Sequence, residues 1–550
     1  MSPAAAKEDY FDAIVVGSGF GGSVMAYRLA ESSDPKLEVC LLERGKAWPP
    51  GSFPRTPFEF SRAFWDPSEG LHGLFDLWYF GRLAALVSSG LGGGSLIYAN
   101  VILEKPESWF VDRGRDWPIK HRDLQPHYDA VGPMLAPVEY PERYRDEPKT
   151  KAFYQAATSE QLNPFYPPLA VTFGDPIHEP GRPFEKPEDN LHKKQRYTCR
   201  LVGECDAGCN FGSKNSLDFA FLSKASRLKI KCRHEVKRFE RCKQGYRVEV
   251  ADHDGAKEGE PRANPPALRV MYAKRLILSA GALGTPYLLL RNQIAFPNLS
   301  RRLGTCFSGN GDFIAFAARA GEPLDPSRGP VITASVKVPD VVDGGDGPGH
   351  YVQDGGYPDF IAWIGEMLEL PRLAWAGKGV AARLAWETLS GRPDSNLSAE
   401  AARLVGTPSL AGGTLPLLGI GREPPQGRMK LGDNGLLEVE WSFAEATAYF
   451  DHVRCTLRKL TRGLDATFED SVLWKLSTSI TVHPLGGCPI GRTEQEGVVN
   501  PRNGEVHNYE GLHVADGSVM PGTVGTNPGF TIAAVADLFA DAILDEWPRR

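Results

Sequence analysis

The sequence lacks a long apolar run. Its most apolar stretches, such as residues 530–544, are interrupted by Asp537 and Asp541. None approaches the 18 or more residues that read as a membrane span. Residues 1–9 carry Lys7, Glu8 and Asp9 and no apolar core, so no secretory leader is expected. A basic excess is also missing: 62 Lys and Arg face 68 Asp and Glu, for a net charge of −6. The chain has no basic stripe to match a phosphate backbone, so nucleic acid is not expected as a partner. Cysteine is sparse and odd in number, nine in 550 residues, which suits free thiols in a reducing compartment. A cytoplasmic location is expected. Peripheral contact with a membrane stays open, although no basic amphipathic anchor is present.

Glycine (59) and proline (44) are abundant, almost one residue in five, against about one in eight in average usage. With 42% hydrophobic and 24% charged residues, the chain can still build a full core, so these residues belong to loops and turns of a folded protein. A helical bundle and a disordered scaffold are excluded. The length gives a prior of about three to four domains.

The clearest local signal lies near the start. Residues 11–16 form a short apolar run of the kind buried on both faces of a parallel sheet. Gly17-Ser18-Gly19-Phe20-Gly21-Gly22 follows, then a helical pattern over 23–31 and a second strand over 37–43. Gly17 suits a tight turn, Gly19 close approach of a pyrophosphate, and Gly22 close packing of helix on strand. The helix N-terminus offers free N–H groups and a positive dipole end to phosphates. Glu43, followed by Arg44, suits a ribose with free hydroxyls. The unit predicts dinucleotide binding.

Residues 45–90 are rich in aromatics and proline, and Leu91-Gly92-Gly93-Gly94-Ser95 forms a second backbone-approach loop. Residues 140–200 read as excursion loops, 230–250 as alternating strands, and 274–281 as a buried strand ending in glycine. Thr285-Pro286 is expected to open a helix, with proline in its allowed first turn. The Gly/Asp-rich stretch 338–357 lacks calcium-loop spacing and reads as a solvated loop. Residues 368–389 suggest an amphipathic helix, 512–517 a strand, and 531–544 a long helix. No internal repeat is visible. A nucleotide fold that opens at residue 12 and closes after 512 must be discontinuous.

Four features together resemble the glucose–methanol–choline (GMC) family of FAD-dependent oxidoreductases, and within it the bacterial cholesterol-oxidase-like group. They are the N-terminal fingerprint, the loop from Gly92 to Asn100, Ser279-Ala280-Gly281-Ala282-Leu283-Gly284-Thr285-Pro286, and the block from His483-Pro484-Leu485-Gly486-Gly487-Cys488 to Val524-Gly525-Thr526-Asn527-Pro528. Gly208-Cys209-Asn210-Phe211-Gly212-Ser213 adds to the subgroup likeness. Residues 310–470 carry no matching motif.

The resemblance implies an α/β fold in which a Rossmann-like FAD-binding domain (10–105, 195–310, 475–550) interleaves with a substrate-binding α+β domain on an antiparallel sheet (106–194, 311–474). It implies that Gly17, Ser18, Gly19, Phe20, Gly21, Gly22, Glu43, Arg44, Ala280, Gly281 and Gly517 hold the dinucleotide. Gly92, Gly93 and Asn100 would lie along the flavin, Val236 would meet the adenine through its backbone, and Asp516 would contact the ribityl or pyrophosphate region. Pro528 would set the start of the last helix near the flavin, its positive end favouring negative charge there. Residues 87–99 contain no histidine, so FAD is expected to be non-covalent.

The catalytic pair implied is His483 and Asn527. A histidine titrating near neutrality can take a hydroxyl proton, and an asparagine can orient the hydroxyl without adding charge. His507 and His513 are expected to be structural. Cys199, Cys205 and Cys209 invite a metal or redox-disulfide reading, but zinc prefers closer pairs and four ligands. His192 and His234 are unmotivated as the fourth, so structural thiols and no metal are expected. Cys488 reads as a packed small residue.

The activity implied is oxidation of a bulky apolar alcohol such as a sterol, with oxygen or another acceptor. Aromatic or long-chain alcohols, a flavin-dependent lyase and a flavin-binding module are the alternatives. The aromatic segments near 53–80 and 363–386 suit an apolar substrate or a core equally well. Glu366 and Glu369 are both open as the carboxylate base of an isomerase step.

Overall fold

Strand β1 (Tyr10–Val16) is apolar on both faces and buried almost throughout, as a central parallel strand requires. Helix α1 (Phe20–Ala30) follows after a three-residue turn, and β2 (Val39–Leu42) returns beside β1 in parallel. The helix thus starts three residues before the expected Ser23, because Gly19 serves as its N-cap. The computed structural model describes residues 10–547, apart from 113–114, 175–178, 256, 262–264 and 358–412. The helix expected over 368–389, with Glu366 and Glu369, lies outside the described residues.

The chain continues through α2 (His121–Leu135), α3 (Pro148–Ser159) and the short β3 (Pro164–Phe165). The reading of 140–200 as loops therefore fails at α3. Pro148 opens that helix at its first position, and its Phe153, Ala156 and Ala157 are buried in the second core.

Strands β4 (Lys229–Lys231), β5 (His234–Cys242), β6 (Gly245–Asp252) and β7 (Ala267–Leu278) lead to α4 (Gly281–Asn292). That helix begins four residues before Thr285, leaving Pro286 in its interior. Its start is set from a distance: Asp516 Oδ2 accepts from Gly281 N at 2.9 Å and from Thr285 Oγ1 at 2.5 Å. A cap supplied from beyond the end of β13 leaves no local signal.

The second half supplies β8 (Phe313–Ala318), β9 (Ser335–Val338), β10 (His350–Asp354), β11 (Leu415–Gly421), α5 (Phe443–Gly463) and β12 (Thr467–Asp470). Strand β13 (Leu512–Val514) and helix α6 (Gly529–Asp545) close the fold. The loop expected over 338–357 is corrected at β10, which is buried along its whole length. Pairing on both edges satisfies its backbone, and its polar side chains bond within the fold, His350 to Thr456, Gln353 to Asn527 and Asp354 to Thr333, so polarity did not mean exposure.

Two sheets result. In the first the order is β4-β2-β1-β7-β6-β5, with β13 also paired to β7. Its β1, β2, β4, β7 and β13 pair in parallel. The second, β12-β8-β11-β10-β9-β3, is antiparallel throughout. Helices α1, α2 and α6 pack together on the first core, where Arg28 bridges to Asp537 and Asp541. Helix α5 covers the second core. Trp48, Phe53, Phe60, Phe64 and Phe75 form a separate buried cluster, so much of the aromatic segment is core. No helix among the described residues is long and apolar enough to cross a membrane.

Candidate active site

The two glycine loops meet. A Cβ on Gly93 would stand 2.5 Å from the Gly19 Cα, and the Ser18 hydroxyl lies 3.0 Å from the Gly92 N–H that donates to it. Ser18 in turn donates to Glu43 Oε2 at 2.6 Å, while Gly45 N donates to Glu43 Oε1 at 2.8 Å. Glu43 is buried with its carboxylate held by this chain's own donors. Arg44 pairs with Asp76 and stacks over Trp65.

The glycines divide into two kinds. A Cβ at Gly21 would lie 1.8 Å from Ala515 O, and one at Gly22 1.9 Å from Gly17 O. These are sealed against neighbouring backbone. At Gly19, Gly94 and Gly281 a Cβ would meet nothing within 4 Å; Gly94 is exposed, and Gly19 and Gly281 are half-buried. Asn100 adds an independent mark. It is 0% exposed with φ +67°, and neither its amide oxygen nor its nitrogen has a partner. Open glycines beside an unpaired buried amide fit a large polar ligand laid along the backbone, as FAD would be. Val236 sits in β5 at a shift in register, which opens the ladder there. Gly17, with φ +98°, turns the chain against Ser279 O. Phe20 stacks edge-on against Tyr98 and also packs on Gly529. Ala280 is the N-cap of α4 and Pro528 that of α6. Gly517 opens a short turn behind Asp516, whose carboxyl is pushed up by burial.

His483 is half-buried. Its Nδ1 lies 2.7 Å from Asp312 Oδ1, and its backbone N donates to Asp312 Oδ2 at 3.1 Å. Asp312 Oδ2 also accepts from Val482 N at 2.7 Å and Thr481 Oγ1 at 2.9 Å. No described residue bonds His483 Nε2. With Nδ1–H donated to the carboxylate, Nε2 carries the lone pair. Asn527 is buried, and its Oδ1 accepts from Gln353 Nε2 at 2.9 Å while its Nδ2 donates to Gln353 Oε1 at 3.3 Å. Gln353 belongs to β10, the strand read from sequence as loop.

One short segment joins the loops of His483 and Asn527. Ser308 pairs with Leu485 through both backbone groups. Asn310 donates to Thr526 O at 2.8 Å and accepts from Gly525 N at 2.8 Å. Asp312 holds His483. Behind them Glu423 Oε2 accepts from Gly309 N at 3.1 Å and Gly311 N at 2.9 Å, and Oε1 accepts from Trp441 Nε1 at 2.5 Å. Burial pushes the Glu423 carboxyl up to about 7. Lys105, also buried, donates to Thr523 O and Val524 O.

His513 is buried with Nδ1 on Asn503 O, and burial lowers it to about 3. His507 bonds Gly491 O. All nine cysteines are free thiols. Two groups of described residues, His127 with Asp537 and Asp541, and His234 with Asp252 and Asp254, bring three metal-ligating atoms together. Cys199, Cys205 and Cys209 belong to neither.

Asp312, Gln353 and Glu423 were missed by sequence reasoning. They come from segments without a motif, and only the fold brings them to His483 and Asn527.

Residues 447–536 match the family model described as GMC oxidoreductase. Over 563 residues the chain is 27% identical to a cholesterol oxidase of Mycobacterium tuberculosis, covering 99% of this chain and 92% of that protein. It is 25% identical to a long-chain-alcohol oxidase of Arabidopsis thaliana, covering 98% of this chain and 67% of that protein. Among solved structures, the fold is shared with a formate oxidase of Aspergillus oryzae at a TM-score of 0.61 and 16% identity, over 98% and 99% of the two chains. Residues 447–536 thus resemble the GMC oxidoreductases by family model, and nearly the whole chain is similar to cholesterol and long-chain-alcohol oxidases.

Proposed function

We propose that His483 Nε2 takes the hydroxyl proton as the chain oxidises an alcohol to a carbonyl compound. The observation that carries this reading is the His483–Asp312 pair, which leaves Nε2 unbonded and fixes the ring. Asp312 stabilises the imidazolium formed when the proton arrives. Asn527, fixed by Gln353, orients the hydroxyl so that its proton meets Nε2. FAD, when bound, accepts the hydride from the alcohol carbon.

The residues proposed to hold FAD are Gly17 to Gly22, Glu43, Arg44, Gly92, Gly93, Asn100, Val236, Ala280, Gly281, Asp516, Gly517 and Pro528. The absence of histidine from 87–99 supports a non-covalent cofactor. A bulky apolar alcohol, sterol or long-chain, is the substrate class favoured, and its support is the named activity of the relatives. The buried aromatics at 48–75 add nothing to it, since they fill a core. Oxygen is the acceptor favoured on the same ground.

The test is anaerobic mixing of the FAD-loaded protein with sterol, aromatic and aliphatic alcohols. Bleaching of the flavin by an alcohol supports the reading and excludes a lyase or a pure binding module. A flavin that no alcohol reduces overturns it. Peroxide formed in air marks an oxidase, and acid release of intact FAD marks a non-covalent one.

A further inference from the structure

Where α1, α2 and α6 meet, they leave a cleft of about 360 Å³, within the size range of small-molecule sites. Its α2 wall is one stripe of the helix, His127, Ala130, Val131 and Met134, at the spacing that shares a helix face. From His127 to Met134 the stripe runs about 10 Å. Tyr27 and Phe221 also line the cleft, packed edge to face with ring centroids 5.7 Å apart. None of these residues is among those proposed for catalysis or for FAD.

One end of the cleft is charged. Arg28 reaches Oδ1 of both Asp537 and Asp541. His127 Nδ1 lies 2.8 Å from Asp537 Oδ2 and 3.9 Å from Asp541 Oδ2, so its proton goes to Asp537. Asp541 Oδ2 and His127 Nε2 have no hydrogen-bond partner among the described residues, although His127 is only 8% exposed. With His127 neutral, Arg28 offsets one of the two aspartates and leaves one negative charge over. Unmet acceptors beside surplus negative charge fit a cationic donor. A bare metal ion fits less well, because Arg28 stands on both carboxylates and repels it. The other end is apolar. Lys224 Nζ lies 3.7 Å from Met134 Sδ there, so a cation is favoured at the aspartate end alone.

We propose that this cleft binds an amphiphilic amine, its ammonium at Asp541 and His127 and its apolar body laid along Val131 and Met134 against Tyr27 and Phe221. Head and body are both needed. An ion pair open to solvent contributes little by itself, and the apolar walls supply the rest by taking the body out of water. The cleft is thus a second ligand site, separate from the one that handles the alcohol.

The test is calorimetry on FAD-loaded full-length protein with octylamine as the probe, against octanamide, octanoate, methylamine and zinc ion. Octylamine is expected to bind at least about tenfold more tightly than octanamide or octanoate, which lack the positive charge or reverse it. Over methylamine, which lacks the body, the margin expected is about a hundredfold. Asp541→Asn keeps an oxygen for Arg28 and is expected to cost octylamine about tenfold while leaving octanamide unchanged. Ala130→Trp, at an exposed position on the cleft wall, fills the cleft without entering the core and is expected to abolish binding. Both variants are expected to fold, to hold FAD and to react with alcohols as the wild type does. No binding of octylamine at millimolar concentration, equal affinity for the three octyl compounds, or affinity that survives either substitution overturns the inference. So does zinc that binds at His127 and Asp541 and displaces the amine, since the cluster is then a metal site.

Discussion

The proposed nucleotide end and the proposed catalytic end of this molecule solve opposite problems. Around Gly17, Gly19, Gly93 and Gly281 the chain clears side chains away, so that backbone can meet backbone or a ligand. Around His483 and Asn527 it gathers charged and amide side chains, each held by another: Asp312 on His483, Gln353 on Asn527, Glu423 behind both. The first end tolerates no added atom at its sealed positions, and the second tolerates no missing partner.

That contrast is sharpened most by two glycines two residues apart. Gly21→Ala forces a methyl to within 1.8 Å of Ala515 O, and loss of folded protein is expected, seen as insoluble expression or a collapsed melting transition. Gly19→Ala meets nothing within 4 Å, so the protein should fold while its affinity for FAD falls. Equal stability of the two variants would break the distinction between sealed and open glycines.

At the catalytic end, His483→Ala is expected to slow anaerobic flavin reduction by about two to four orders of magnitude with FAD still bound. Asp312→Asn should cost roughly 10- to 100-fold through loss of the ring's orienting partner. A near-normal reduction rate in either variant would remove the base from the role proposed for it. Gln353→Leu leaves the Asn527 amide buried without its partner, at a cost of about 1–3 kcal/mol. Slower reduction with FAD affinity unchanged is expected. A change in FAD affinity alone would move Gln353 to the nucleotide side of the comparison.

The smallest effect concerns pH. Glu423 holds its proton to about 7 in the fold, against 4.5 for the ordinary group. The folded protein therefore binds a proton that the unfolded chain has released, and stability falls as pH rises from 4.5 to 7. Glu423→Gln should flatten that slope, read from melting temperatures across the window. Parallel curves for the two proteins would contradict it.

The nucleotide end was legible because its logic is local. Gly17 to Gly22 follow one strand and open one helix within a few residues, so spacing alone carries the geometry. His483 and Asn527 could be read only through family likeness, and their partners could not be read at all. Asp312 lies 171 residues from His483, and Gln353 lies 174 from Asn527. No periodicity links such pairs. The stretch containing Gln353 looked solvated because it is rich in Gly and Asp, yet pairing on both sides buries it as β10. The misplaced start of α4 has the same origin, since Asp516 caps it from 235 residues away.

Segment 308–312 has a mechanical consequence. Ser308 and Asp312 grip the loop of His483, and Asn310, with φ +55°, grips the loop of Asn527. The two groups proposed to handle the hydroxyl are thus yoked to five consecutive residues, and a shift of that yoke carries both in step. Their mutual spacing is protected from distortion of either outer loop. It is exposed to any change that unseats Glu423, which alone among the described side chains clamps the yoke at both Gly309 and Gly311.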